Sequence, residues 1–262
     1  MNAPLRGAAL ARPHPRIQPL GDSALRIVLG DTLDPTVNRR VCDLADRVLV
    51  ATVAGRLPGV TEVLPAFAVV GVHYRAEQIP AAIGESPFAA LSRMLLPLLA
   101  DPADAPARGP SRLLEIPVCY GGEFGPDLQS SAEACGITPD ELVRLHQQPG
   151  EEQRVYMVGF APGNPYIGRL DPVLSLPRRA TPRTSMPVGT ICIANRQTVV
   201  YPITAPGGWN MIGRTPLRLF DARRAEPCLL RPGDRVVFRA IDAQTYAVEA
   251  RKIDATASGT SA

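Results

Sequence analysis

The sequence predicts an α+β protein in two parts: a two-layer α/β sandwich over residues 16–104, then an all-β barrel or sandwich over residues 111–254. Three observations carry this expectation. The first hundred or so residues alternate short apolar runs with amphipathic stretches in the order ββα–ββα, which puts helices on one face of an antiparallel sheet. Residues 101–110, DPADAPARGP, read as a polar, Pro- and Ala-rich linker between domains. Beyond the linker, many short β-branched runs are separated by Gly/Pro turns.

Residues 16–20 and 24–29 form strands around the Gly21-Asp22 turn. Asp34-Pro35 opens a helix, with Asp34 as N-cap and Pro35 at the first helical position. Val41, Leu44, Ala45, Val48 and Leu49 recur at helical spacing and are expected to line its buried face. Residues 55–59, rich in Gly, end it. Strands follow at 61–64 and 66–74, the second apolar enough to be central, and residues 87–99 make a second amphipathic helix. In the second part, residues 113–118 form a strand, and Thr138-Pro139 starts a helix that ends near Gln148. Further strands are expected at 153–159, 190–194, 198–201, 235–240 and 245–250, with no internal repeat. The first residues, MNAPLRGAALARPHPRI, lack an apolar segment of signal-peptide length and read as a disordered leader, and the tail after Asp254 reads as loose.

Composition narrows the function classes. A hydrophobic fraction of 45% with 20% charged residues is that of a soluble globular protein. A net charge of +3, with no basic run or RNP-like aromatic pattern, argues against nucleic acid. No apolar run approaches the roughly 20 residues of a membrane span. Lys252 is the sole lysine, which excludes a GxxxxGK[ST] phosphate loop, a Schiff-base lysine and a biotin-carrier lysine. Cys42, Cys119, Cys135, Cys192 and Cys228 are scattered and odd in number, so a reducing, cytoplasmic location without disulfides is expected. Three scattered histidines exclude a His-rich metal site.

The chemistry concentrates between Val155 and Asp221, where Gly, Pro and Arg crowd between short apolar runs and Trp209 follows a Gly-Gly pair. Rigid loops of this kind expose N–H groups and guanidinium forks, which suits an anion or polar-ligand pocket on a β scaffold. Arg183 (in TPRT) and Arg214 (in GRTP) are held between rigid residues and are candidates to grip a carboxylate or phosphate. For Arg178 and Arg179 a solvated reading is sufficient. His146, at the end of a short helix, is either a histidine favoured by the helix dipole or a pocket acid/base. Gly207-Gly208-Trp209 is either a turn with a core Trp or a pair of N–H donors for a developing oxyanion. Asp171 and Asp221 read as turn formers or Arg partners. Gly21-Asp22-Ser23 resembles a serine-esterase block only superficially, because turn chemistry between two strands accounts for it.

The segments GFAPGNPYIGRLDP, PRRATPRTSMPVG and QTVVYPITAPGGWNMIGRTPLRLFD closely resemble the B-type component of bacterial 5-oxoprolinase. That family also includes the kinase inhibitor KipI and proteins called allophanate hydrolase subunit 1. The upstream IPVCYGGEFGPDL, LHQQ around His146 and GDSALRIVLGD fit the same family, so the resemblance runs from Arg16 to about Val248. It implies an N-terminal α/β domain and a C-terminal cyclophilin-like β-barrel. It also implies a subunit that works with C-type and A-type partners to couple ATP hydrolysis to the opening of 5-oxo-L-proline to L-glutamate. A regulator of a sensor histidine kinase and a urea-carboxylase-related module are the other activities the resemblance allows. The implied catalytic residues are His146, Arg183 and Arg214. The implied substrate-binding residues are Asn164, Pro165, Tyr166, Arg169, Gln197, Gly207, Gly208, Trp209 and Thr215, with ATP as co-substrate and no metal ligand set. Three positions depart from the family's usual pattern: Asn164 replaces an aromatic, and Arg169 and Val199 stand where Gly is common. All three are larger or more polar at one expected pocket, which points to a related small amide, lactam or urea-derived acid as an alternative substrate.

Overall fold

The computed structural model describes residues 15–100, 111–148 and 153–258. The leader up to residue 14 and the expected linker at 101–110 lie outside the described residues. β1 (Arg16–Pro19), β2 (Ala24–Val28), β3 (Val60–Ala66) and β4 (Val69–Tyr74) form an antiparallel sheet in the order β1-β2-β4-β3. Helix α1 (Pro35–Val53) packs on β3, on β4 and on α2 (Pro87–Ala100). Asp34 caps α1 as expected, its Oδ1 accepting from the N–H groups of Thr36 and Val37 at 2.8 and 3.0 Å. The apolar stripe of α1 is Val41, Leu44, Ala45, Val48 and Ala51, packed on Leu25, Ile27, Val70, Val72, Leu91 and Leu95. Each fully buried Leu or Ile of this set contributes about 1.5–3 kcal/mol. Leu49, expected on that stripe, is 52% exposed instead, because the stripe advances from Val48 to Ala51 and leaves Leu49 on the solvent side.

The strand expected at 66–74 is interrupted. Ala66 pairs with Val69 across a tight turn in which Phe67 takes a φ of 51°. No Gly marks this turn in the sequence, and tertiary bonds hold it. The Phe67 N–H donates to the Tyr156 carbonyl at 3.0 Å, and the buried Asn38 carboxamide on α1 donates to the carbonyls of Phe67 and Tyr156 at 2.8 and 3.2 Å. The same place joins the two halves of the molecule, since Ala66 pairs with Met157.

The second half is a closed barrel. Its strands are β5 (Leu113–Tyr120), β6 (Arg154–Val158), β7 (Pro165–Gly168), β9 (Thr190–Ala194), β10 (Gln197–Val200), β12 (Asn210–Arg214) and β13 (Arg235–Ala240). They follow the order β6-β13-β5-β12-β9-β10-β7, and β7 returns to β6. Every neighbouring pair is antiparallel except β13 and β5, which run parallel from Arg235↔Leu113 to Ala240↔Val118. The barrel core contains Ile116, Val118, Val155, Ile167, Ile191, Ile193, Ile212 and Phe238, and the helices α3 (Leu128–Cys135) and α4 (Pro139–Gln147) add Ala132 and Leu142. Outside the barrel, β8 (Arg183–Met186) and β11 (Ala205–Gly207) pair as a two-stranded ribbon.

Two expectations change here. Residues 245–250 are helical, inside α5 (Ala243–Ser258), and not a strand. Asp242 caps this helix through the Thr245 N–H at 2.7 Å, and Tyr246 packs on Phe124 with ring centroids 4.7 Å apart. Alanines at 243, 247 and 250 favour the helix over the alternating pattern of Tyr246 and Val248. This helix also carries the chain to Ser258, well into the tail that reads as loose in the sequence. In addition, the strands β7, β8, β11 and β12 are elements whose Gly, Pro and Arg content reads as loop, and α3, of sequence LQSSAEAC, is a helix without an apolar stripe long enough to announce it. At Gly213 in β12 a Cβ would come within 2.7 Å of Val118 Cγ1, so the strand needs glycine to approach β5.

His146, near the end of α4, is fully buried in the barrel core. Its Nδ1 lies 2.7 Å from the Tyr120 hydroxyl and its Nε2 lies 3.0 Å from Thr198 Oγ1, while its ring packs on Phe238 at 4.3 Å. A neutral imidazole satisfies both contacts, with one nitrogen donating and the other accepting. Burial pulls its pKa down to about 3 from an ordinary value of 6.5. The native state therefore holds His146 neutral while the unfolded chain takes up a proton below its ordinary pKa. Its contribution to stability is complete above about pH 6.5 and is lost as pH falls toward about 3, at up to about 1.4 kcal/mol per pH unit. Replacing His146→Gln should remove this component. Urea denaturation across a pH series should show a shallower acid-side loss for the variant than for the native chain.

Candidate functional site

A cavity of about 190 Å³ opens between β7, β10, the ribbon strand β11 and the loop that precedes β7. Its walls include Asn164, Tyr166, Arg178, Tyr201, Gly207 and Trp209. Tyr166 and Trp209 meet edge to face, with ring centroids 6.1 Å apart and planes at 71°. The Arg178 guanidinium carbon lies 5.1 Å from the centroid of the Trp209 ring, within cation–π range. Tyr201 is buried, and that burial pushes its hydroxyl up to about 12, so it is a neutral hydrogen-bonding group at ordinary pH. Gly207 is required by close approach: a Cβ there would sit 2.1 Å from the Tyr201 hydroxyl. Asn164 donates through Nδ2 to the Gly159 carbonyl at 3.2 Å, while its buried Oδ1 has no partner. Phe160, with a φ of 72° and 86% exposed, stands at the mouth.

The loop that carries Arg178 is fastened at three points. The Asn210 carboxamide donates to the Pro177 carbonyl at 3.0 Å. The Arg179 N–H donates to the Gly208 carbonyl at 2.7 Å. The Arg179 Nη1 donates to Asp127 Oδ1 at 3.0 Å. Asp127 also takes both Nη groups of Arg183, at 2.7 and 2.8 Å, and the Met211 N–H at 2.8 Å. With its side chain only 6% exposed, this carboxylate joins α3, the ribbon, the Arg178 loop and β12. Its hydrogen bonds are the first cause of the upward shift of the Arg183 pKa.

The structure gathers five of the sequence-derived candidates at the cavity: Asn164, Tyr166, Gly207, Gly208 and Trp209. Val199, one of the three departures, lines it too. The other candidates stand elsewhere. His146 is enclosed in the core. Arg183 is engaged by Asp127. The Arg214 Nε donates to the Val188 carbonyl at 2.9 Å, outside the cavity wall. Arg169 reaches from the end of β7 to the Leu33 carbonyl at 3.2 Å, on the side of the α/β sandwich. Pro165 and Gln197 are barrel-strand positions, paired with Val158 and with Gly168 and Ala194. Thr215 is buried and accepts the Leu217 N–H at 3.3 Å. Asp171 and Asp221 are turn and arginine partners, through the Val173 N–H and Arg223 respectively.

Two residues at the site carry more than their sequence reading suggests. Arg178 looks like a solvated charge in RRATPR, and only the fold sets it over Trp209. Asp127 sits in the segment GPDL without any local sign that arginines more than fifty positions away converge on it. For Tyr201, the available signal is its nearness to the Gly207-Gly208 pair. Among the described residues, no group of three or more His, Cys, Asp or Glu side chains is arranged to hold a metal ion, and no helix is long and apolar enough to cross a membrane.

The sequence matches the family described as carboxyltransferase domain, subdomain C and D, over residues 15–230. It is 40% identical over 235 residues to a Bacillus subtilis (strain 168) protein named as the B subunit of 5-oxoprolinase, covering 88% of this chain and 95% of that relative. A protein of the same name from Escherichia coli O157:H7 is 52% identical over 128 residues, covering 49% of this chain and 58% of that one. Among solved structures, TTHA0988 superposes with a TM-score of 0.69 at 32% identity, covering 84% of this chain and 40% of the other.

The Asp127 cluster makes a stability prediction. Asp127→Asn leaves two guanidinium groups without a counter-charge beside a buried amide. Because both arginine side chains are about a third exposed, the cost is set below that of a fully buried pair, at about 2–3 kcal/mol. Chemical denaturation should show this loss. Protection of the ribbon amides from hydrogen exchange should fall further than that of the α/β sandwich.

Proposed function

The chain belongs to the carboxyltransferase subdomain C and D family, and on that premise we propose that it is the B-type subunit of an ATP-dependent hydrolase. This hydrolase opens 5-oxo-L-proline, or a related small lactam or amide, to its amino acid, here L-glutamate. The 190 Å³ cavity is the substrate site in this reading. The observation that carries it is the combination on one wall of an aromatic floor, a guanidinium and an unpaired carboxamide oxygen. A flat five-membered lactam bearing a carboxylate matches those groups one for one. The ring lies against Trp209 and Tyr166, the carboxylate faces Arg178, and the ring N–H donates to Asn164 Oδ1. Gly207 and Gly208 let the backbone come close to the lactam carbonyl. The names of the relatives support the substrate class.

A five-membered lactam resists water because its amide resonance is intact. ATP supplies the driving force by activating the lactam oxygen, and the overall balance consumes two waters, one for the ring and one for the phosphoanhydride. The residues of this chain bind and orient the ring. The C-type and A-type partners complete the catalytic site and the nucleotide site. That the relatives are named as subunits supports a shared assembly, and so does the absence of a complete acid–base pair along this cavity wall among the described residues.

The test is co-expression with neighbouring C-type and A-type partners, followed by an assay of 5-oxoproline-dependent ADP release. Release that needs all three chains is expected. A stable complex that releases ADP only with a different lactam or amide would move the substrate, and Asn164 and Val199 would be its readers. In the active complex, Arg178→Met and Trp209→Leu should each raise KM by about tenfold or more with a smaller effect on kcat, since each removes binding made before the chemical step.

A further inference from the structure

Across the Arg178 loop from the substrate cavity lies a second recess, of about 410 Å³. Ser130, Ser131 and Ala134 of α3 form one wall, and Leu176 to Thr181 form another. Arg178 lies on both recesses, so the loop is a partition between them. The second recess differs from the first in chemistry: it has no aromatic wall, and its polar side chains are two arginines, three hydroxyls and the Asn210 carboxamide, whose Nδ2 is already engaged by the Pro177 and Ile193 carbonyls.

The charges around it do not balance. Arg178 and Arg179 are on its wall, and Arg183 stands behind them on the same carboxylate. Among the described residues, Asp127 is the carboxylate bonded to this group, and it is saturated by three guanidinium contacts and the Met211 N–H. Three positive charges against one negative leave two in excess. Arg179 gives Asp127 one Nη1 hydrogen, and its buried Nε has no partner. The Ser131 hydroxyl, on a residue 3% exposed, also has no partner, whereas Ser130 already donates to the Asp127 carbonyl at 3.2 Å. Unpaired donors beside uncompensated positive charge are costly unless an acceptor completes them.

We propose that this recess binds a phosphate-class oxyanion. A phosphate dianion offers charge equal to the local excess and several acceptor oxygens on one centre, which a single carboxylate does not. The groups that would hold it are the Arg178 and Arg179 guanidiniums and the hydroxyls of Ser131 and Thr181. The assignment does not depend on the lactam reading, because it can be measured on this chain alone and without substrate.

The experiment is calorimetric titration of the full chain with inorganic phosphate, read in parallel by ³¹P line broadening, with acetate and ADP as competitors. Saturable binding at one site is expected, weakened about tenfold or more by Arg179→Gln and unchanged by Phe160→Ala, which removes an exposed side chain on the first cavity alone. Arg183 still neutralises Asp127 in Arg179→Gln. Should that variant nevertheless unfold by circular dichroism, Ser131→Ala provides the same test and should weaken phosphate binding several-fold. Competition by ADP stronger than by phosphate would assign the oxyanion to a nucleotide, and weaker competition would assign it to free phosphate; both uphold the site. No saturable phosphate binding, equal binding by the variants, or acetate competing as well as phosphate would overturn it.

Discussion

One buried carboxylate organises the face of the barrel on which both recesses lie. Asp127 collects two guanidinium groups and a backbone N–H from segments that are distant in sequence, and ties them beside a small apolar cluster that includes Met186, Cys192, Trp209 and Met211. The ribbon β8–β11 is only two strands wide, too little to hold itself in water without such an anchor. Ion pairing here is less a source of net stability than a means of fixing one arrangement among several with similar apolar burial. If the carboxylate were replaced, the barrel would still have its own apolar interior, but the walls of the cavity would lose their register.

The division of labour follows from that arrangement. The barrel interior is filled by aliphatic side chains and Phe238, with His146 kept neutral among them and engaged by Tyr120 and Thr198. The cavity proposed as the substrate site lies outward instead, at the seam where the ribbon and the Arg178 loop lie against β7 and β10. Arg178 then belongs to both recesses at once. Whatever occupies one side of it alters the electrostatic field on the other, which is a direct physical route for coupling two ligands of like charge.

The sandwich is legible in the sequence almost throughout, because its signals are local. Asp34-Pro35 starts a helix by capping chemistry alone, and the stripe from Val41 to Val48 needs only helical periodicity. The barrel is legible in class and not in detail. Strands such as β7, β11 and β12 carry Gly and Pro at positions dictated by neighbours, like Gly213 against β5 or Gly207 against the Tyr201 hydroxyl, so local propensity argues against them. The helix at 243–258 escapes a sequence reading for the opposite reason, since Tyr246 and Val248 imitate alternation while alanine content and the Asp242 cap decide the matter. At the site, the Gly-Gly-Trp cluster and Asn164 can be read from their motifs. The role of Arg178 cannot, because its partner ring and its fastening to Asn210 and Gly208 are long-range. His146 and Arg183 have the right chemical types for catalysis, but burial and a carboxylate partner engage them, and neither property is visible in a string of residues.

The one parallel pair in the barrel has a consequence for how the chain is made. Strand β5 must wait beside an empty place until β13, more than a hundred residues later, emerges to lie against it. On a ribosome the sandwich can be complete while β5 and β6 still present bare edges with exposed N–H and C=O groups. Open edges of that kind invite pairing with other chains. A nascent-chain holdase, or early docking of a partner protein, would matter most in this interval, and truncations that end before residue 235 would be expected to accumulate as aggregates and not as soluble fragments.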